Sequence, residues 1–193
     1  MSHEDEFARI LLSDERKKWQ DPLKISKAAG VRRGMTVADL ACGPGFFTLP
    51  LASLVGEGGV VYAVDASKTM LDYLRATIAM SDANRKAIKV IQADVSDTGI
   101  PSGSVDVALF VNVLHDIEDK RAFLTEVRRI CKPSAVVVDV DWKKVRMKIG
   151  PPYGIRLTEA TARKILAANG LRAVKSLDMR PYHYGLTCRV DPP

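Results

Sequence analysis

The chain has 193 residues, 47% of them hydrophobic and 27% charged, with a formal net charge of +6. That is enough apolar material for one well-buried core and too little for two ordinary domains, so a single domain over 1–193 is expected. No apolar run approaches the roughly 18 residues that span a bilayer, the start Met1-Ser2-His3-Glu4-Asp5-Glu6 is acidic where a signal peptide is basic and then apolar, and Cys42, Cys131 and Cys188 are odd in number and widely spaced. These features argue against a membrane partner, a disulfide framework and a zinc or other metal site, and for a soluble, cytoplasmic protein with buried, reduced thiols.

An N-terminal segment reads as helical to about Trp19, and an amphipathic stretch follows from Pro22 to Ala29. Thr36 to Leu40 is an apolar run suited to a parallel strand covered on both faces. It continues through Ala41-Cys42-Gly43-Pro44-Gly45 into a helix from Phe46 to Leu54. Gly43 and Gly45 permit backbone geometry and close ligand approach that a Cβ would block, and the free N–H groups of the helix start point at the turn. Gly56-Glu57-Gly58-Gly59 leads into a second strand, Val60 to Val64, whose end carries Asp65. A carboxylate at that position, about twenty residues beyond the glycine turn, can take both hydroxyls of a ribose. Together the two segments describe a nucleotide-type cofactor site.

Ser67 caps a helix to about Met80, and Ile88 to Gln92 is a third strand that stops at Ala93-Asp94. A polar loop with Pro101, Ser102, Gly103 and Ser104 precedes strand four, Val105 to Val111. A helix from Asp119 to Ile130, a strand from Ala135 to Val140, a loop rich in Lys, Gly and Pro, and a helix from Thr158 to Ala168 closed by Asn169-Gly170 complete the alternation. Two last strands fit Leu171 to Met179 and Tyr184 to Val190. The pattern predicts an α/β fold, a doubly wound seven-stranded Rossmann-like sheet with right-handed crossovers, mostly parallel. Too few residues separate the last two strands for a crossover, so the terminal strand should run antiparallel.

Over Pro22 to Val190 the chain resembles the class I S-adenosylmethionine-dependent methyltransferases, and within them the small ubiquinone/menaquinone-biosynthesis (type 11) group. The resemblance rests on Asp39-Leu40-Ala41-Cys42-Gly43-Pro44-Gly45, Val64-Asp65, Ala93-Asp94-Val95, Ser104-Val105-Asp106-Val107-Ala108, Asn112-Val113-Leu114-His115 and Leu124 to Pro133. It implies S-adenosylmethionine as cofactor, its methionine end at Asp39, Ala41, Cys42, Gly43, Pro44 and Gly45, its ribose at Asp65 beside Ala66, its adenine at Asp94-Val95, a further cofactor contact at Asn112, and a substrate mouth over strand four. Ala41 stands where the first glycine of the turn is usual, a departure read as harmless. The dinucleotide fingerprint G-x-G-x-x-G, started at Gly43, needs glycine where Thr48 stands, which argues against NAD.

In such enzymes the cofactor carries the reactivity and the protein aligns the acceptor and excludes water. His115, just past strand four, is the first candidate for a base; the alternative is a helix-start histidine bonded locally, with Asp116 as a cap. His183, between the last two strands, either approaches the pocket as a second catalytic candidate or packs in a hairpin with Tyr182 and Tyr184. Tyr153, Arg156 and Tyr184 are further candidates for the substrate mouth. The N-terminal segment is either a lid over the site or a helix packed on the sheet edge.

Gly150-Pro151-Pro152-Tyr153 imitates the Asp/Asn-Pro-Pro-Tyr signature of enzymes that methylate nucleic-acid amino groups, but it sits after strand five and lacks the side-chain acceptor. Basic residues fall in small groups, such as Arg16-Lys17-Lys18 and Lys143-Lys144, that suit solvated faces, so nucleic acid is not the favoured partner. With no inserted domain and short connections after strands four and five, the expected acceptor is a small organic molecule. The alternatives are an RNA or protein methyltransferase using the basic surface, or a cofactor-binding subunit that needs a partner.

Overall fold

The computed structural model describes residues 3–81 and 84–191; of the acidic start, Met1 and Ser2 lie outside the described residues. The N-terminal segment breaks into two helices, α1 (His3–Leu11) and α2 (Asp14–Trp19), because the Ser13 hydroxyl accepts the Arg16 N–H and starts a new helix. Asp21 caps α3 (Pro22–Ala28) through the N–H groups of Leu23 and Lys24, with Pro22 in the first turn where its missing N–H costs nothing.

The alternation that follows is β1 (Thr36–Leu40), α4 (Thr48–Val55), β2 (Val60–Asp65), α5 (Lys68–Met80), β3 (Ile88–Gln92), β4 (Val105–Val111), α6 (Lys120–Ile130), β5 (Cys131–Trp142), α7 (Glu159–Ala168), β6 (Leu171–Leu177) and β7 (His183–Val190). The strands form one sheet in the order β3-β2-β1-β4-β5-β7-β6. Strands β1 to β5 pair in parallel, and β7 inserts antiparallel between β5 and β6, as the short last connection requires. The order reverses between β1 and β4, the point at which open α/β sheets bind ligands beyond the carboxyl ends of their strands.

Both faces of the sheet are covered, which is why the central strands are apolar along most of their length. Along β4, Ala108 and Phe110 pack with Phe123, Leu124 and Val127 of α6 and Leu166 of α7. Val107 and Leu109 face the other way, with Ile25 of α3 and Leu51 and Val55 of α4.

Of the boundaries that depart from expectation, three bear on the site. Helix α4 starts at Thr48, two residues late, because residues 43–47 remain in the turn. Strand β5 runs on to Trp142, which carries Asp141 to the rim of the site. The connection after β5 spans residues 143–158 and is not short; Arg156 braces it from within.

Candidate active site

At the end of β1 the backbone turns through Ala41 (φ 55), Gly43 (φ 54) and Gly45 (φ 95), all left-handed. Glycine meets this without strain, whereas Ala41 is held there against its preference. A Cβ on Gly45 would lie 2.4 Å from Leu74 Cδ1, so this glycine is needed for packing, while the ideal Cβ of Gly43 meets Leu11 Cδ1 at 3.7 Å. Pro44 and Cys42 are buried. Burial drives the Cys42 thiol well above its usual range, and Cys131 and Cys188 are pushed up to about 12 for the same reason, so all three remain thiols.

Two carboxylates flank the turn. Asp65 accepts the Gly43 N–H at 2.7 Å and the Ser67 N–H at 2.9 Å, which fixes it between the tips of β1 and β2. Asp39 is 4% exposed and accepts the Thr48 hydroxyl at 2.6 Å. Burial, with a smaller contribution from the charge of Asp65, raises it to about 7 against the opposing pull of Thr48 and Arg16. At the end of β3, Asp94 is exposed and accepts both the N–H and the hydroxyl of Ser96, which lower it, while Val95 behind it is buried. Ala66 is exposed beside Asp65.

The tips of β4 and β5 build a different surface. His115 is tied to Asp141: its N–H meets Oδ2 at 3.0 Å and its Nδ1 lies 2.7 Å from Oδ1, which also accepts the Trp142 N–H. A carboxylate receiving two backbone N–H groups is best completed by an Nδ1–H donor, which leaves the Nε2 lone pair of His115 free. The local alternative is corrected here: the N-cap of α6 is Asp119, which accepts the Ala122 N–H, and His115 is held from β5.

The N-terminal segment lies across these strand tips. Gln20, fully buried, exchanges amide hydrogen bonds with Asn112 (φ 62) at the tip of β4. Trp19 stacks on His183 (centroids 5.1 Å apart, 8° between planes) and meets Trp142 and Tyr182 at 5.5 and 5.8 Å. Arg16, grouped by sequence with surface lysines, is turned inward over the Phe46 ring.

Other expected residues fall elsewhere. His183 is fully buried in that aromatic cluster with neither ring nitrogen hydrogen-bonded, and burial, helped by the cations Arg16, Lys143 and Arg156, lowers it to about 3. It is neutral at ordinary pH and offers an aromatic wall, not a base. Arg156 is 3% exposed and donates to the carbonyls of Pro151, Val145 and Ile149, so it shapes its loop and does not line a mouth. Tyr184 is 2% exposed with its hydroxyl unpartnered, buried in the sheet next to β5. Tyr153 is exposed on the loop, with Arg146 and Lys144 over its ring.

Sequence reading missed Asp141, Trp142 and Gln20, and had Trp19 only as part of the N-terminal segment. The signal for Asp141 was the run Asp139-Val140-Asp141, which puts two acids on one face at the end of a buried strand.

The profile of a methyltransferase domain matches residues 38–138, which run from β1 through most of β5 and include the glycine turn, Asp65, Asp94 and His115. The chain belongs to the methyltransferase domain family. A methyltransferase from Aquifex aeolicus, described as S-adenosylmethionine-dependent, superposes with a TM-score of 0.91 at 27% identity, over 98% of this chain and 100% of that one. Magnesium protoporphyrin IX methyltransferase from Synechocystis, solved with S-adenosylmethionine bound, shares the fold at a TM-score of 0.68 and 19% identity, over 98% and 84% of the two chains. Demethylmenaquinone methyltransferase from Staphylococcus aureus is 28% identical over 134 residues, which are 69% of this chain and 53% of that protein. The chain thus spans about half the length of the curated relatives it matches. By family and fold it belongs with the class I S-adenosylmethionine-dependent methyltransferases, as the resemblance implied.

Proposed function

We propose that this methyltransferase moves the methyl group of S-adenosylmethionine to a small, planar organic acceptor that gives up a proton to His115. The observation that carries this reading is the His115–Asp141 pair at the carboxyl ends of β4 and β5, where β4 pairs with β1 and the glycine turn that follows it.

The residues present fit the cofactor. Asp65 is placed for ribose hydroxyls, Asp39 for the α-ammonium, the exposed tip of β3 at Asp94 for the adenine edge, and the left-handed glycine turn leaves backbone within reach of the amino-acid end. When bound, the sulfonium supplies a reactive methyl group and a neutral thioether leaving group.

The acceptor's proton passes to His115 Nε2 as its heteroatom or acidic carbon attacks the methyl group. Asp141 holds the ring in the Nδ1–H tautomer and stabilises the cation that forms, a positioning role. Trp19, Trp142 and the buried His183 pack together and exclude water, and the partly exposed Trp19 offers a flat face for a ring, favouring an aromatic or quinone-like acceptor over an aliphatic one. The relative that methylates demethylmenaquinone supports that class of acceptor. The segment from α1 to Trp19 acts as the lid, and the buried reduced cysteines accord with a cytoplasmic setting.

The test is transfer of radiolabelled methyl from S-adenosylmethionine to a panel of hydroquinones, phenols and amines, with total RNA and total protein as parallel acceptors. Label in a low-mass hydroxyaromatic product is expected. Label confined to RNA or protein would refute the small-acceptor reading and favour use of the basic surface.

A further inference from the structure

Two buried charges of opposite sign stand over the glycine turn without forming an ion pair. Asp39, at the end of β1, accepts only the Thr48 hydroxyl among the described residues. Arg16, from α2, is 7% exposed. Its Nε donates to Gln20 Oε1 at 2.7 Å, its Nη1 donates to the Leu11 carbonyl at 2.9 Å, and its guanidinium carbon sits 4.1 Å above the Phe46 ring. Nη2 has no hydrogen-bond partner among the described residues.

Burial pulls this guanidinium down to about 10, and the carboxylate whose charge acts on it is Asp39. A guanidinium taken out of water with only neutral acceptors is poorly compensated, and an anion placed on its open edge would complete it. Its orientation is already set: Phe46 fixes the plane, Leu11 and Gln20 fix the edge, and Gln20 is itself locked to Asn112 at the tip of β4.

An α-amino acid presents an ammonium and a carboxylate on one carbon, the charge complement of Asp39 and Arg16. We propose that Arg16 binds the α-carboxylate at the methionine end of S-adenosylmethionine, opposite Asp39 on the α-ammonium. Helix α2 is then part of the cofactor site and closes on it through a charge, so that lid position and cofactor occupancy are one equilibrium. This rests on the cofactor assignment above and adds to it a residue outside the span of the family profile.

The experiment compares S-adenosylmethionine with its decarboxylated form, which lacks only that carboxylate, by calorimetric titration of the full chain and of Arg16→Gln and Arg16→Lys. The wild-type chain should prefer the carboxylate-bearing compound by about ten- to hundredfold, the range of a charge-assisted hydrogen bond. In Arg16→Gln the preference should fall to within about threefold, with affinity for the decarboxylated compound unchanged, and Arg16→Lys should keep part of it. A wild-type chain without preference overturns the clamp, as does an Arg16→Gln chain that keeps the preference or loses both ligands equally. If Arg16→Gln does not melt cooperatively, Arg16→Lys and the wild-type preference decide. Failure of the wild-type chain to bind either compound would sink the cofactor assignment and the clamp with it.

Discussion

The two halves of the proposed site are built by opposite means. The cofactor half, at the tips of β1, β2 and β3, is largely one continuous piece of chain per contact: a glycine turn, one carboxylate at a strand end, and backbone N–H groups that hold it. The acceptor half, at the tips of β4, β5 and β7, is assembled from side chains far apart in sequence, with Trp19 against His183 and His115 against Asp141. A half made of backbone is set by turn geometry and tolerates substitution around it. A half made of side chains depends on each member and can be retuned to a new acceptor without disturbing the cofactor.

The largest effect expected from that contrast is in the acceptor half. His115→Asn and Asp141→Asn should each lower kcat, by about 10²- to 10⁴-fold for the histidine and less for the aspartate, because a lost base costs in that range. S-adenosylhomocysteine affinity should be unchanged in both, as measured by calorimetry. A matching loss of cofactor affinity would show that the two halves are not separable. The complementary change is Asp65→Ala, for which cofactor affinity should fall by about ten- to hundredfold with the loss of its ribose hydrogen bonds. Because Asp65 also accepts from Gly43 and Ser67, a fall in melting temperature should accompany it.

These unequal constructions explain what could be read from the sequence. The glycine turn, Asp65 and the order of strands follow from local chemistry and from the length of each connection, so short motifs were sufficient. Asp141 was passed over, although Asp139-Val140-Asp141 marks it, because its pairing with His115 depends on β5 extending to Trp142 and on β4 ending beside it in parallel register, with Val111 opposite Val140. Arg16 was misread because an arginine between Glu15 and Lys17 has the composition of a solvated face; only the fold shows that this position of α2 turns toward Phe46. For His183 the sequence left open an approach to the pocket or packing in a hairpin; its neutral, stacked state follows from burial among residues of other segments.

A smaller effect sets the buried carboxylate of the cofactor half against a buried carboxylate outside the site, by pH. Asp39 is raised to about 7 in the folded chain, mainly by burial, from an ordinary 3.8. The folded state therefore holds a proton there that the unfolded chain releases, so the stability that Asp39 contributes is fully present below about pH 4 and is lost as pH rises through 7. Thermal melts of the ligand-free chain should show Asp39→Asn losing less stability than wild type between pH 5 and pH 8. Glu126 works in the opposite sense: burial would raise it, but Arg129 and the N–H and hydroxyl of Thr98 prevail and bring it to about 2. Its contribution is present above about pH 4.5 and is lost as pH falls toward 2, so Glu126→Gln should flatten the acid limb of the same curve.

The smallest effect concerns Ala41, the residue in the turn where glycine is usual. Its left-handed φ of 55 costs about 1–2 kcal/mol relative to glycine. Against that, glycine would lose about 0.4–1 kcal/mol more backbone freedom on folding. The Ala41 methyl also packs against the main core cluster, and removing it forfeits about 0.5–0.8 kcal/mol of apolar burial. The three terms nearly cancel, which is why alanine is tolerated at the cofactor turn. Ala41→Gly should accordingly shift the melting temperature by no more than about 3 °C in either direction and leave cofactor affinity within about twofold. A destabilisation beyond about 2 kcal/mol would mean that the methyl holds the turn in place, and the cofactor half would then depend on side chains as the acceptor half does.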